Sequence, residues 1–266
     1  MSGRSQKATI FLELGFREMV NAHPDQRLFI GTSGWTYADW RGPFYPDNVP
    51  KRAWLEWYAT RFATTEINGS FYRTPTVEAV ESWKEQTPSA FKFSWKASKF
   101  ITHWKRLGAS SESSLELMES RIERLGKKCG PILFQLPPRF EADNDRLAEF
   151  LEMLPRKYIY VFEFRHPSWY RDNTFELLAS RGVSLCISDH HDAPSPWVVT
   201  ADHVYVRGHG PRGAYEGRYS RKTMDTWAAQ IRRWCSKGKT VYVYFDNDQK
   251  SAAPADATAL IKLLER

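Results

Sequence analysis

The sequence predicts a single α/β domain, a (β/α)8 TIM-like barrel whose sixth helix is replaced by a loop. Three observations carry this. Eight short strand-like runs recur at intervals of roughly 30 residues, the length of one strand–helix unit. Helix-compatible segments separate all but one consecutive pair of them. No linker, low-complexity tract or close repeat interrupts the alternation, and barrels of about 250 residues are ordinary single domains.

The runs fall at residues 28–32, 64–68, 91–97, 131–136, 158–165, 183–188, 203–207 and 240–246. The first helix is expected over 50–61, where Pro50 suits a first helical turn. Helices follow over 76–86, 111–128, 143–154, 174–181, 221–237 and 254–265. Residues 189–202 carry Pro194 and Pro196 and no helical period, so they are expected to be a loop. An open doubly wound sheet is the competing arrangement; no GxGxxG turn follows the first run, which removes its commonest nucleotide-binding form. Residues 1–27 are expected to be an N-terminal extension, with the barrel over 28–266.

Composition narrows the function classes. Hydrophobic residues make up 42% and charged residues 26%, which argues against general disorder. Aromatic residues reach 15%, a load that belongs in a core or around a pocket. No apolar run approaches the ~18 residues of a membrane span, and the N-terminus lacks a signal-peptide pattern. The three cysteines show no CxxC spacing, so neither a zinc knuckle nor a disulfide framework is expected, and the cytoplasm is the expected setting. The net charge of +7 is modest and does not by itself establish nucleic-acid binding.

Strand side chains alternate in direction, so parity separates the barrel interior from the helix layer. Phe91, Phe93 and Trp95 share one face, leaving Lys92, Ser94 and Lys96 on the other. Tyr160, Phe162 and Phe164 leave Glu163 and Arg165 inward. The same reading puts Glu66 with Asn68, isolates Gln135 between Phe134 and Leu136, and turns Arg207 and Asp246 inward. All lie near the carboxyl ends of their runs, where barrel enzymes carry their sites. Loop residues expected to join this mouth are Trp35, Tyr72, His103, His166, Trp169, Asp189, His209, Tyr215 and Asn247.

The strings at these strand ends carry a resemblance. Ile30-Gly31-Thr32-Ser33-Gly34-Trp35, Glu66-Ile67-Asn68-Gly69-Ser70-Phe71-Tyr72, Ile101-Thr102-His103, Phe134-Gln135-Leu136-Pro137-Pro138, Glu163-Phe164-Arg165-His166 with Trp169, Tyr205-Val206-Arg207-Gly208-His209-Gly210 and Tyr244-Phe245-Asp246-Asn247 occur in this order. Together they resemble the YecE-like family, also called domain of unknown function 72, from about Leu28 to the C-terminus. The resemblance implies a TIM-barrel-like fold and leaves activity to be argued from the site. Gly69-Ser70 stands where the family commonly has Ser-Thr, and Asp246 where it commonly has Asn; the second adds charge to the mouth.

The expected chemistry is acid–base catalysis on a small anionic or sugar-like molecule. Glu66 and Glu163 are the paired carboxylates, with Lys96 and Arg165 tuning them. Asn68, Gln135, Arg207, His209 and the loop residues above would bind substrate, the aromatics by stacking. No cofactor and no metal are needed by this reading. One alternative is a metal-dependent barrel of the endonuclease-IV or xylose-isomerase type, with Glu163, Asp189, His209 and Asp246 as ligands. A second is nucleic-acid binding through Lys99, Trp104, Lys105 and Arg106 with Arg218, Arg221, Arg232 and Arg233. His190-His191 is expected to be a solvated pair and Cys186 to be core.

Overall fold

The computed structural model describes residues 27–266. The expected extension lies, save for Arg27, outside the described residues. Eight parallel strands appear where alternation placed them: β1 (Leu28–Thr32), β2 (Thr64–Ile67), β3 (Lys92–Lys96), β4 (Cys129–Gln135), β5 (Tyr160–Glu163), β6 (Ser184–Ser188), β7 (His203–Gly208) and β8 (Thr240–Phe245). They pair in the order β1-β8-β7-β6-β5-β4-β3-β2.

Seven α-helices are found among the described residues: α1 (Trp54–Ala59), α2 (Val77–Glu85), α3 (Glu112–Leu125), α4 (Asn144–Glu152), α5 (Asp172–Ser180), α6 (Arg221–Ser236) and α7 (Ala252–Leu264). The connection from β6 to β7 contains none, as its prolines indicate. Local chemistry sets several starts: Thr76, Asp143 and Ser220 accept a backbone N–H from the first turn of α2, α4 and α6. The first helical segment is shorter than expected, because residues Lys51–Ala53 form a 3₁₀ turn before α1 begins. Strand β4 is longer, because it runs through Pro131. Phe93 pairs with Cys129 and Trp95 with Ile132, so β4 carries one extra residue there. A bulge is where a strand tolerates a residue without an N–H.

Parity sorts the core into two layers. Ile30, Phe93, Trp95, Phe134, Phe162, Val206 and Val243 belong to the layer between barrel and helices. Phe29, Leu133, Val161, Cys186, Tyr205, Tyr242 and Tyr244 fill the interior. The three tyrosines form an aromatic floor. Its upper hydroxyls meet polar partners, Tyr244 with Thr64 Oγ1 and Tyr205 with Ser94 Oγ, both at 2.7 Å. Tyr205 also donates to Glu66, so the floor adjoins the charged side chains of the mouth.

The barrel closes between β1 and β2 without a regular ladder. Ser33 and Glu66 form an isolated bridge, with Gly34 N–H donating to the Glu66 carbonyl at 2.8 Å. Lower down, the Tyr58 hydroxyl of α1 stands in for a ladder bond: it accepts from Thr32 N–H at 2.9 Å and donates to the Thr64 carbonyl at 3.0 Å. Gly31 permits this, since a Cβ there would lie 2.1 Å from the Thr64 oxygen. Tyr58→Phe leaves a buried donor and acceptor unpaired, and an unfolding free energy lower by about 1–3 kcal/mol is expected in urea. An unchanged midpoint would show that the seam does not rest on this hydroxyl. Among the described residues no helix is long and apolar enough to cross a membrane.

Candidate functional site

Arg207 ends β7 on the same face as Tyr205 and is fully buried. Its guanidinium gathers carboxylates from β2, from β5 and from the residue just past β8. Nε and Nη2 grip Glu66 at 3.0 and 2.9 Å, Nη1 donates to Glu163 at 2.9 Å, and Nη2 donates to Asp246 at 2.7 Å. Ser33 Oγ accepts from Nη2 at 3.1 Å and donates to Glu66 at 2.5 Å. Tyr205 donates to the other Glu66 oxygen at 2.7 Å. Burial opposes the charge on Arg207, but Asp246, Glu66 and Glu163 outweigh it and hold the guanidinium ionised. Burial likewise pushes Glu163 and Asp246 up. Arg165, Arg207 and His209 overcome this for Glu163, and Arg207 with His209 does so for Asp246, so both lie below the usual carboxylate range.

A second shelf stands beside this hub. Arg165 meets Glu163 at 2.6 Å and donates to the Tyr215 hydroxyl at 3.1 Å. The His209 ring lies between, its Nε2 3.3 Å from Glu163 and 3.3 Å from Arg165. The loop that carries His209 is held by Asp189, which accepts from the His209 backbone N–H at 2.7 Å and from the Tyr219 hydroxyl.

Lys96 is the exception among the inner charges. It forms no ion pair with a described residue; its Nζ donates to Asn68 Oδ1 at 3.2 Å and sits 4.7 Å over the Phe71 ring. Burial and the Arg207 charge bring its pKa down to about 8. The other buried lysine, Lys128, is committed to the Lys84 and Thr87 carbonyls and the Thr87 hydroxyl. Lys96 thus has donors to spare. His103, half-buried and edge-on to Phe71, is kept neutral: burial, then Lys96 and Arg165, lower it to about 4. Tyr72 and Tyr215 are exposed to 68% and 38% on the rim, and Gln135 is half-buried at the end of β4.

Unmet hydrogen-bonding capacity concentrates here. Six buried side-chain polar atoms lack a partner among the described residues, and four belong to Arg165 (Nε), His209 (Nδ1), Asn247 (Oδ1) and Asp248 (Oδ1). His209 Nδ1 lies 3.1 Å from Asp246 but off the direction of a hydrogen bond. A group left with no partner costs about 1–3 kcal/mol, and ordered water is an ordinary partner for such groups.

Four residues expected at the mouth have other work. Trp169 is fully buried, stacked on Phe164 at 4.5 Å, with its Nε1 donating to the Phe140 carbonyl. Trp35 packs edge-on against Trp83 and Phe93 in the helix layer. His166 caps a short 3₁₀ turn, accepting from Ser168 N–H. Asn247 is fully buried and ties Gly217 and Asp256 together through its amide. In each case an aromatic or polar residue just past a strand end folds back onto the scaffold. The alternative ligand set also fails to assemble as one, because Arg207 occupies the space between Glu163 and Asp246 and Asp189 serves Tyr219. The pair His190-His191 is not jointly solvated: His190 is only 5% exposed.

Sequence reasoning does not single out Ser33, Tyr205 or Asp248 as site residues. Ser33, one residue past the first run, shares the inward parity of Phe29 and Gly31. Asp248 lies past the last strand, where period two ends. Burial and the neighbouring Asp246 push its pKa up to about 8, so it is a protonated carboxyl beside an ionised one.

A model of the family described as Protein of unknown function DUF72 matches residues 29–266. The UPF0759 protein YunF of Bacillus subtilis is 24% identical over 271 residues, covering 90% of this chain and 95% of the relative. The UPF0759 protein YecE of Escherichia coli K12 is 26% identical over 253 residues, covering 85% and 89%. Of solved structures, a DUF72 family protein from Thermotoga maritima aligns with a TM-score of 0.77 and 28% identity, over 90% of this chain and 99% of the other. One from Enterococcus faecalis aligns with a TM-score of 0.77 over 90% and 96%; at 21% identity that likeness speaks for the fold alone.

Proposed function

The chain belongs to the DUF72 family, as its motifs indicate, and from that premise we propose that it is an enzyme of acid–base chemistry on a small carboxylated or phosphorylated molecule held in the barrel mouth. The observation that carries this is Lys96, a buried cation with one hydrogen bond and no ion pair among the described residues. Arg165, whose charge bears on His103 together with that of Lys96, keeps an unmet Nε donor. Two cationic donors with spare capacity suit an anion. Arg207, by contrast, is consumed by its three carboxylates and acts as the brace of the site.

Roles follow from this division. Glu66 and Glu163 hold Arg207 and Arg165 in place. Lys96 and Asp248, both brought to about 8, are the groups whose pKa values suit proton transfer near neutral pH. Tyr72, 68% exposed, is available to stack on a sugar or another planar group.

The test is a thermal-shift panel of phosphates and mono- and dicarboxylates, each paired with its uncharged amide or alcohol. Anions are expected to raise Tm, neutral analogues not, and Arg165→Gln to reduce the shift. Equal shifts from both, or none from any anion, would remove this reading. A second reading, single-stranded nucleic acid, draws support from Lys99, whose Nζ sits 5.8 Å from the Tyr72 ring and 5.6 Å from the ring of exposed Trp104. Binding of an oligonucleotide that weakens steeply with salt would favour it.

A further inference from the structure

The helix-free connection from β6 to β7 carries His190, His191 and Asp192 in succession. One donor atom from each falls within 4.8 Å of the other two. His191 Nε2 is 3.1 Å from one Asp192 oxygen, and His190 Nδ1 is 3.8 Å from the other. A tetrahedral ion about 2.0–2.1 Å from each ligand spaces its donors at about 3.3 Å, so the group is close to the required size.

A hydrogen bond outside the trio fixes which His191 nitrogen is free. His191 Nδ1 lies 2.8 Å from the Gly213 carbonyl, which can only accept, so Nδ1 carries the proton. In the neutral ring that leaves a lone pair on Nε2, facing a carboxylate. His190 Nδ1 lies 3.8 Å from the other Asp192 oxygen and accepts the Asp192 backbone N–H at 3.3 Å, a long hydrogen bond that a bound ion would displace. The His191 lone pair 3.1 Å from a carboxylate oxygen needs a cation between them, and His190 Nδ1 stands within reach of the same ion.

The support is rigid. Gly213 has φ +66°, and a Cβ there would lie 2.4 Å from both the Asp189 carbonyl oxygen and the His191 nitrogen, so the loops after β6 and β7 meet backbone to backbone. The His190 ring is buried edge-on to His209 at 5.3 Å and beside Tyr215 at 5.7 Å.

We propose that His190, His191 and Asp192 bind a divalent transition-metal ion of the zinc type at the edge of the barrel mouth. Two imidazole nitrogens and one carboxylate oxygen suit zinc, cobalt or nickel better than magnesium or calcium, and three protein ligands leave a fourth position for water or a ligand atom. The site stands apart from the anion reading and does not depend on it.

The test is calorimetric titration of the untagged full chain, stripped with chelator, against zinc, cobalt and magnesium chlorides. One zinc and one cobalt ion per chain are expected, with no response to magnesium. His191→Ala and Asp192→Asn, both at exposed side chains, are expected to weaken zinc by about tenfold or more, within the range that metal-site changes produce. The metal-free Tm of Asp192→Asn should match the parent, and Lys96→Gln should leave zinc affinity unchanged. No zinc uptake, or uptake undiminished in both loop variants, would overturn the assignment and leave a proton as the cation in this trio.

Discussion

Arg207→Met is expected to lower the unfolding free energy by about 3–5 kcal/mol at neutral pH, the cost of breaking a buried ionic cluster from one side. The side chain is fully buried and holds Glu66, Glu163 and Asp246 at 2.7–3.0 Å. Its removal leaves three carboxylates around an apolar thioether. The pH dependence has a definite sign. In the parent, Glu163 and Asp246 are depressed, so their stabilisation is complete above the ordinary carboxylate pKa and fades as pH falls toward their folded values. In the variant the carboxylates lose that support and take up protons readily, so acid relieves it. Urea unfolding at about pH 8 and about pH 5 should therefore show a deficit that shrinks on acidification. A variant as stable as the parent at neutral pH would mean that the cluster is not braced by this residue.

Lys96→Met is expected to act in the opposite direction. A lysine lowered from 10.5 to about 8 is one the folded state holds charged at a cost, on the order of 3 kcal/mol at about 1.4 kcal/mol per unit. The penalty is fully present below about pH 8 and is relieved as pH rises toward the unfolded value. Replacing the ammonium with an apolar chain of similar length should raise stability by about 1–3 kcal/mol at neutral pH, while weakening anion binding. Opposite signs at two neighbouring cations separate brace from ligand-binding group. Equal destabilisation in both variants would place Lys96 in the structural cluster with Arg207.

The barrel itself was legible because its code is simple. Period two, repeated at strand–helix spacing, located all eight strands and turned Lys96, Glu163, Arg165 and Arg207 inward. What it left open was which inward charges would consume one another. Arg207 and Lys96 look alike in sequence, yet one meets three carboxylates and the other none among the described residues, a difference made by strand ends 39 to 141 residues away. Past the strand ends the code stops. Trp35, Trp169, His166 and Asn247 carry the residue types of a binding rim, but tertiary packing turns them into the scaffold. Asp248 shows the reverse: an ordinary loop aspartate by sequence becomes a raised-pKa acid only through burial beside Asp246. Ser33 lay within reach, since the inward parity of Phe29 and Gly31 extends to it.

The central claim is that Lys96 is the cation that binds an anion in this mouth. It is tested most directly by the pH dependence of affinity for the best anion of the panel, titrated calorimetrically from about pH 7 to about pH 9.5 in the parent and in Lys96→Gln. Because the ammonium is charged below about 8, affinity in the parent should hold to that point and then fall by up to about tenfold per pH unit, while the variant binds weakly with a flat profile. The same profile in both proteins would contradict the account.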